Sequence, residues 1–283
     1  MIKLRITLAI PTYNRKEIVE ITSLSFKELS DINIRIYDDR SSEYDLSFLK
    51  KVFPTAKEII LRNQNLKADK NMYTIYTDFL NTNDDILIQL DSDMLIGKDF
   101  FLMVSEISKN ILKEEAVYSL YNSNSHEFIE ENVFKIINKE IFKLKEHIGG
   151  ACVIFSKKTL EKIIKNIKIK NNDFSNYDYK WSKYLRENNI PIYVSQKSYV
   201  QHIGVGGQNN TSIKNIDIGY DFVGILNITQ VNYLLKYYEK LFEQQKNYIE
   251  NMNFIEYLKL RMKKIKLIMY FYKKIIKIKE VMI

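Results

Sequence analysis

The sequence predicts an α/β protein, a mostly parallel sheet flanked by helices and followed by a helical appendage. Three observations lead there. Over residues 1–100, short apolar runs alternate with segments of helical length, the pattern of βαβ units. Each apolar run ends in a polar cluster. Beyond Leu226 no proline or glycine interrupts a helical pattern, with one break expected near Asn251-Met252-Asn253. The chain therefore divides into a catalytic-size domain over residues 1–224 and a helical, basic region over residues 225–283.

In chain order, strands are expected at 6–10, 32–37, 58–61 and 86–90, and helices over 16–29, 66–81 and 99–109. The strand ends carry Thr12-Tyr13-Asn14, Asp38-Asp39-Arg40, Arg62-Asn63 and Asp91-Ser92-Asp93. Ligands of open α/β sheets bind outside the carboxyl ends of the strands, so four polar strand ends converge where a site is expected. Further on, strands are expected at 116–120 and 151–155, a helix over 177–189, and short strands at 191–194 and 199–203.

With 46% hydrophobic and 28% charged residues, and three prolines and eight glycines among 283 residues, the chain has material for a sizeable core and little for flexible linkers. Cys152 is the only cysteine, which excludes an internal disulfide and a cysteine-based zinc site and suits a reducing compartment. Residues 1–10 lack the long apolar stretch of a signal peptide, so export by that route is not expected.

The net charge of +8 is concentrated. Residues 259–283 hold nine basic residues against Glu280 alone, while the rest of the chain balances at 34 basic and 34 acidic. On a helical wheel Lys259, Lys263, Lys266, Lys273 and Lys277 fall on one side, and Ile265, Ile268, Met269, Tyr272, Ile275 and Ile276 on the other. A basic amphipathic helix of this kind can lie on an anionic membrane surface, each Lys or Arg contributing about 1 kcal/mol. Its longest apolar run, residues 267–272, is too short to span a bilayer. The alternative is that the apolar face packs on the body or on a second subunit of a homo-oligomer. Nucleic acid is not an expected partner, because the neutral body carries no recognised nucleic-acid module.

Asp91-Ser92-Asp93 follows the apolar run Ile86-Leu87-Ile88-Gln89-Leu90. Two carboxylates at the exit of a buried strand repel, and a hard divalent cation such as Mn2+ or Mg2+ relieves that repulsion while bridging to phosphates. Such a cation stabilises a leaving nucleoside diphosphate. A helix cap or a plain turn is the other common use of an Asp-x-Asp triplet. Context favours the cation: Pro11-Thr12-Tyr13-Asn14-Arg15 follows the first strand, and Tyr37-Asp38-Asp39-Arg40-Ser41-Ser42 ends the second. Through these three motifs, in this order and at this spacing, the chain resembles the family 2 glycosyltransferases with the GT-A fold, over roughly residues 3–205.

The resemblance implies roles. Pro11, Thr12 and Tyr13 would line the base of a UDP donor, Asp39 would accept the uracil N–H, and Tyr13 offers a stacking face. Arg15, Lys67 and Ser92 belong to the donor-binding segments, with Asp69, Lys70 and Asn71 close to Lys67. Asp93 is the expected direct metal ligand, and Asp91 would contact the ribose or a metal-bound water. His202, followed by Ile203-Gly204, resembles the metal- or pyrophosphate-binding histidine of many such enzymes; a structural role is its alternative. Gly149 and Gly150 resemble the segment that contacts donor or acceptor sugar, and glycine pairs also make plain turns.

Inverting transfer needs a base within reach of the acceptor hydroxyl. Asp178, in Tyr177-Asp178-Tyr179-Lys180-Trp181-Ser182, resembles the late acidic motif, with Tyr177 standing where a Glu often precedes it; Asp173 is the fallback. Trp181, the only tryptophan, would stack on an acceptor sugar or pack in the core.

The expected function is thus a glycosyltransferase of hexosyl or N-acetylhexosaminyl type. It would carry a sugar from a nucleotide donor to a glycan or lipid-linked saccharide in surface glycan synthesis, in the cytoplasm and peripheral on the inner face of the cell membrane. Two readings compete. A sugar-nucleotide nucleotidyltransferase of similar architecture would carry a glycine-rich basic loop after the first strand, where Pro11-Thr12-Tyr13-Asn14-Arg15 has no glycine. A non-catalytic membrane-associated adaptor of the same fold would show no turnover with any UDP-sugar.

Overall fold

The computed structural model describes residues 4–26, 32–123, 134–149, 151–167, 169, 173–204, 219, 221–222, 224 and 228–250. Gly150 and the basic segment 259–283 lie outside the described residues.

The first half of the domain is built as the apolar runs dictate. Strands β1 (Ile6–Thr12), β2 (Asn33–Asp38), β3 (Glu58–Leu61) and β4 (Ile86–Leu90) alternate with helices α1 (Lys16–Ser23), α2 (Leu46–Val52) and α3 (Ala68–Leu80). After β4 come a short strand β5 (Met94–Ile96), helix α4 (Phe100–Ile111) and strand β6 (Val117–Ser119). A hairpin of β7 (Phe134–Ile137) and β8 (Glu140–Leu144) precedes β9 (Cys152–Ser156), α5 (Lys157–Asn166) and α6 (Tyr177–Glu187). Strands β10 (Ile192–Ser195) and β11 (Val200–His202) and the long helix α7 (Ile228–Glu250) complete the described chain.

Nine strands form one sheet in the order β3-β2-β1-β4-β9-β6-β10-β8-β7. The run β3-β2-β1-β4 is parallel throughout, and β9 joins β4 and β6 antiparallel. Between β1 and β4 the strand order reverses, since β2 and β3 lie to one side of β1 and β4 to the other. That is the topological switch point at which open α/β sheets form their crevice. β4 is buried at all five positions, which is why its sequence is a continuous apolar run rather than an alternating one.

Successive side chains leave a strand on opposite faces. On β1, Leu8 and Ile10 join Val19 of α1 and Phe100, Met103, Val104 and Ile107 of α4 in one core cluster. Ala9, between them, faces Met72, Ile75, Tyr76 and Phe79 of α3, together with Trp181 and Leu185 of α6. Cys152 is buried and its thiol is pushed up to about 12 by that burial, the behaviour of an inert core side chain.

Several elements escaped the sequence pattern. α2 is seven residues long and capped by Asp45, whose carboxylate accepts the Phe48 N–H. The β7–β8 hairpin turns on Asn138 and Lys139, both at positive φ (47° and 67°), where an Asn-Gly pair would have been the visible signal. α5 starts directly after β9, with Ser156 accepting the Thr159 N–H.

A separate two-stranded sheet pairs β5 with β11 antiparallel, setting His202 opposite Met94. The chain divides into two units at Leu234/Leu235. The start of α7 belongs with the sheet domain: Gln230 Nε2 donates to Ile21 O (3.1 Å) and Ser25 Oγ (2.7 Å), and Tyr233 and Leu234 pack on Ile21, Leu95 and Ile203.

Candidate active site

A cavity of about 640 Å³ opens at the carboxyl ends of β1, β2 and β4, within the size range of small-ligand sites. The end of β1 supplies Pro11 and Thr12 to its lining, the loop after it Tyr13 and Arg15, and the exit of β2 Asp39. Neighbouring aspartates take different roles. Asp38 ties two loops together, accepting from Thr12 Oγ1 (3.1 Å), Ser41 N–H (2.9 Å) and Ser41 Oγ (2.5 Å). Asp39 faces the cavity, with one oxygen accepting the Leu66 N–H at 2.7 Å. Burial raises the Asp39 carboxyl above its ordinary value, against the lowering effect of the Leu66 and Lys67 amides.

The loop conformations are unusual for the residues in them. Asn14 and Arg15 both stand at positive φ (51° and 56°), as do Lys67 (65°) and Asn176 (52°), and all four line the cavity. Non-glycine residues rarely occupy this region, and such strain gathers at functional sites. Hydrogen bonds hold the first loop in place: Asn14 N–H donates to Ser41 Oγ and Asn14 Oδ1 accepts the Ser42 N–H, both at 2.8 Å.

Asp91, Ser92 and Asp93 line the cavity at the exit of β4. Asp91 is oriented by Gln89 Nε2, which donates to its Oδ1 at 2.8 Å. Asp93 Oδ2 receives two partners, Arg15 Nη1 at 2.8 Å and His202 Nε2 at 3.2 Å. The β5–β11 pairing makes this possible, and Ile203 N–H donates to Asp93 O at 2.9 Å. Burial and the neighbouring Asp93 push the Asp91 carboxyl upward. Burial also opposes the charge of Asp93, yet His202 and Arg15 hold its carboxyl well below the usual range. Gly204 completes the packing, because a Cβ there would lie 2.0 Å from Asp93 Oδ2 and 2.8 Å from Arg15 Nη1.

Across the cavity, α6 presents Tyr177, Asp178 and Tyr179 to the lining. Asn176 N–H donates to Asp69 Oδ2 at 3.3 Å, joining the start of α6 to the first turn of α3. Asp178 Oδ1 accepts the Tyr179 N–H at 2.9 Å. Tyr179 is 58% exposed, and its ring stands 4.7 Å from that of His147.

Of the other residues that the sequence singled out, Lys67 and His202 line the cavity. Trp181 does not: it is 1% exposed and packs against Tyr76 and Phe155. This corrects the acceptor-stacking expectation in favour of the core role. Gly149 is at positive φ (65°) but is outside the lining, and Asp173 is exposed and accepts from Ser175. Asn65, Glu43, Asn176 and Tyr179 are lining residues that sequence reasoning missed. They come from loops and a helix start that follow no strand-end pattern.

The charge of the cavity bears on the cation. Six carboxylates line it, those of Asp39, Glu43, Asp69, Asp91, Asp93 and Asp178, against the cations Arg15 and Lys67. A diphosphate entering so acidic a cavity needs positive charge brought with it. The donor set, two carboxylates and an imidazole, has the chemistry for Mn2+ or Mg2+. Among the described residues, no three His, Cys, Asp or Glu side chains are gathered as a metal site; Asp93 is engaged by Arg15 and His202 instead.

No protein-family model matches the chain, and no curated protein matches it by sequence. The fold does match solved structures. The crystal structure of S. aureus TarS, a GT-A-type glycosyltransferase, matches with a TM-score of 0.50 at 18% identity, covering 70% of this chain and 36% of TarS. The crystal structure of GalNAc-T7 with UDP, GalNAc and Mn2+ matches with a TM-score of 0.54 at 9% identity, covering 71% of this chain and 44% of GalNAc-T7. The chain thus spans less than half the length of either, and it has a GT-A-like glycosyltransferase fold.

Proposed function

We propose, from this GT-A-like fold, that the chain is a glycosyltransferase that takes a sugar from a UDP-sugar and passes it to a saccharide acceptor. One observation carries the reading. Three strand-end segments of different chemistry, an aromatic-bearing loop, a buried aspartate and an Asp-x-Asp exit, meet around one cavity opposite a helix-borne carboxylate. The UDP and Mn2+ of the GalNAc-T7 structure support the choice of donor and cation.

Asp39 accepts the uracil N–H on a remaining carboxylate lone pair, beside the backbone amides that already orient it, and Tyr13 covers the base. Asp93 and His202, with Asp91, hold a divalent cation that offsets the charge of the leaving diphosphate when bound. Arg15, released from Asp93, turns to a phosphate oxygen, for which its guanidinium is suited. Asp178 takes the proton of the acceptor hydroxyl as that oxygen attacks the anomeric carbon, the arrangement of an inverting transfer. Tyr179, exposed beside Asp178, offers the acceptor sugar the aromatic face that Trp181 does not. The basic segment 259–283 holds the enzyme at an anionic membrane surface, where a lipid-linked or surface-glycan acceptor is within reach.

The test is turnover across a panel of UDP-sugars with Mn2+, with and without EDTA. Release of UDP that EDTA abolishes and Mn2+ restores is expected, with a fall of about 10²–10³-fold or more in Asp93→Ala. No turnover on any donor, or wild type equal to Asp93→Ala, would favour the non-catalytic reading.

A further inference from the structure

A second cavity, of about 680 Å³, opens at the other end of the same parallel strands. Arg5, which precedes β1, Asn33 and Arg35 of β2, and Lys57 and Glu58 at β3 line it, and the two cavities share no lining residue. β1 has seven residues, so about 20 Å of strand separates its two ends.

Its origin is legible in the strand pattern. α3 covers the sheet face that presents Ala9, Tyr37 and, partly buried, Ile60. Two positions earlier on each strand the same face carries Thr7, Arg35 and Glu58. The face therefore changes from apolar to polar near where α3 ends at Leu80. The polar part is organised. Asp84, 6% exposed, accepts from Thr7 Oγ1 at 2.6 Å and Asn33 Nδ2 at 2.7 Å. Arg35 pairs with Glu58, and Asp78 with Arg62. At the apolar boundary Tyr37 lines the cavity with 0% exposure, and its hydroxyl finds no hydrogen-bond partner among the described residues. An unpaired buried hydroxyl is costly, and native structures seldom keep one without reason.

We propose that this cavity binds a neutral, polyhydroxylated ligand, a sugar residue of a saccharide, with Tyr37 Oη bonded to one of its oxygens. Charge selects the class. Arg5, Arg35 and Lys57 balance Glu58, Asp78 and Asp84, in contrast to the acidic first cavity, so neither an anion nor a cation is preferred. A hydrocarbon would displace water from a wall of guanidinium, carboxylate and amide groups and offer their remaining hydrogen-bonding capacity nothing in return. A sugar hydroxyl donates and accepts at once, and can bridge a guanidinium and a carboxylate without adding charge. The inference goes beyond the donor site and does not rest on the reading given to it.

The experiment is saturation-transfer NMR on the full chain with glucose, maltose, lactose and N,N′-diacetylchitobiose, in saturating UDP. Glucosamine and glucose 6-phosphate serve as charged controls. Lys57 is exposed, so Lys57→Trp obstructs the cavity without disturbing the core. At least one neutral sugar is expected to bind, to persist in Asp93→Asn, and to be lost in Lys57→Trp. Tyr37→Phe should weaken it about three- to tenfold, the value of one hydrogen bond, with an unchanged or higher melting temperature because an unpaired buried hydroxyl is removed. Binding by glucose as tight as by the disaccharides supports a single-residue subsite for free sugar; tighter binding of a disaccharide supports a glycan chain. Neutral-sugar binding unaffected by both Lys57→Trp and Tyr37→Phe, no neutral-sugar binding at all, or preference for either charged control would overturn the proposal.

Discussion

Gly204 shows how narrowly single residues are specified at the candidate site. Its missing side chain leaves room for Asp93 Oδ2, which a Cβ would approach to 2.0 Å. Gly204→Ala is therefore expected to push Asp93 and Arg15 apart, lowering both UDP affinity by isothermal titration and the melting temperature. Trp181 and Tyr179 make a contrasting pair. Trp181→Ala should cost about 3–5 kcal/mol of stability by urea unfolding, since the ring is 1% exposed. Tyr179→Ala should leave stability nearly unchanged and raise the acceptor KM, because that ring is 58% exposed at the cavity. At this scale the cavity-lining positions of Thr12, Tyr13, Asp39, Asp91 and Asp93 were legible in the sequence because each stands at or just beyond the end of an apolar strand. The available signal for Trp181 was its spacing from Tyr177 and Leu185, four residues to either side on one helix face; all three are buried in one cluster.

Among the elements, α3 best displays the tension between stability and recognition. Its N-cap, Lys67, stands at φ 65°, ψ 165°, a region that is essentially glycine's own and costs other residues on the order of 1–3 kcal/mol. Lys67→Gly should raise the melting temperature and weaken UDP binding, since the cation in the cavity lining is lost; a fall in both would mean that Lys67 holds the helix start. α5 carries no such conflict. Ser156→Ala, which removes the acceptor for the Thr159 N–H, should cost about 1 kcal/mol in thermal unfolding without altering turnover. The βαβ half was readable because its strands are apolar and its helices amphipathic. The β7–β8 hairpin was not, because its turn uses Asn138 and Lys139 in conformations that glycine would have advertised. β5 is three residues long, too short for any period to register, whereas β11 falls within the strand expected at 199–203.

For the whole molecule, charge and connectivity act together. The domain body is close to neutral and the excess of +8 lies in residues 259–283, so truncation after Asn253 should abolish sedimentation with anionic vesicles while leaving UDP-sugar turnover in solution intact. Loss of an oligomer in size-exclusion chromatography, with vesicle binding unchanged, would assign the segment to self-association instead. The fold class was legible at this scale, and β6, β9 and β10 fall on expected strands. The β7–β8 hairpin and the mixed order β9-β6-β10-β8-β7, with β10 parallel to β6 among antiparallel pairs, were not, since they follow no repeating unit. The single oxygen shared by Arg15 and His202 on Asp93 has a temporal consequence. The three residues are far apart in the chain, and closing such long loops is entropically slow. A chain emerging from the ribosome can complete β1 and β4 before His202 has been made. The ion-paired end of the cavity is therefore completed late in maturation, and a product terminated before His202 would carry all nine strands of the main sheet while Asp93 lacked one of its two side-chain partners.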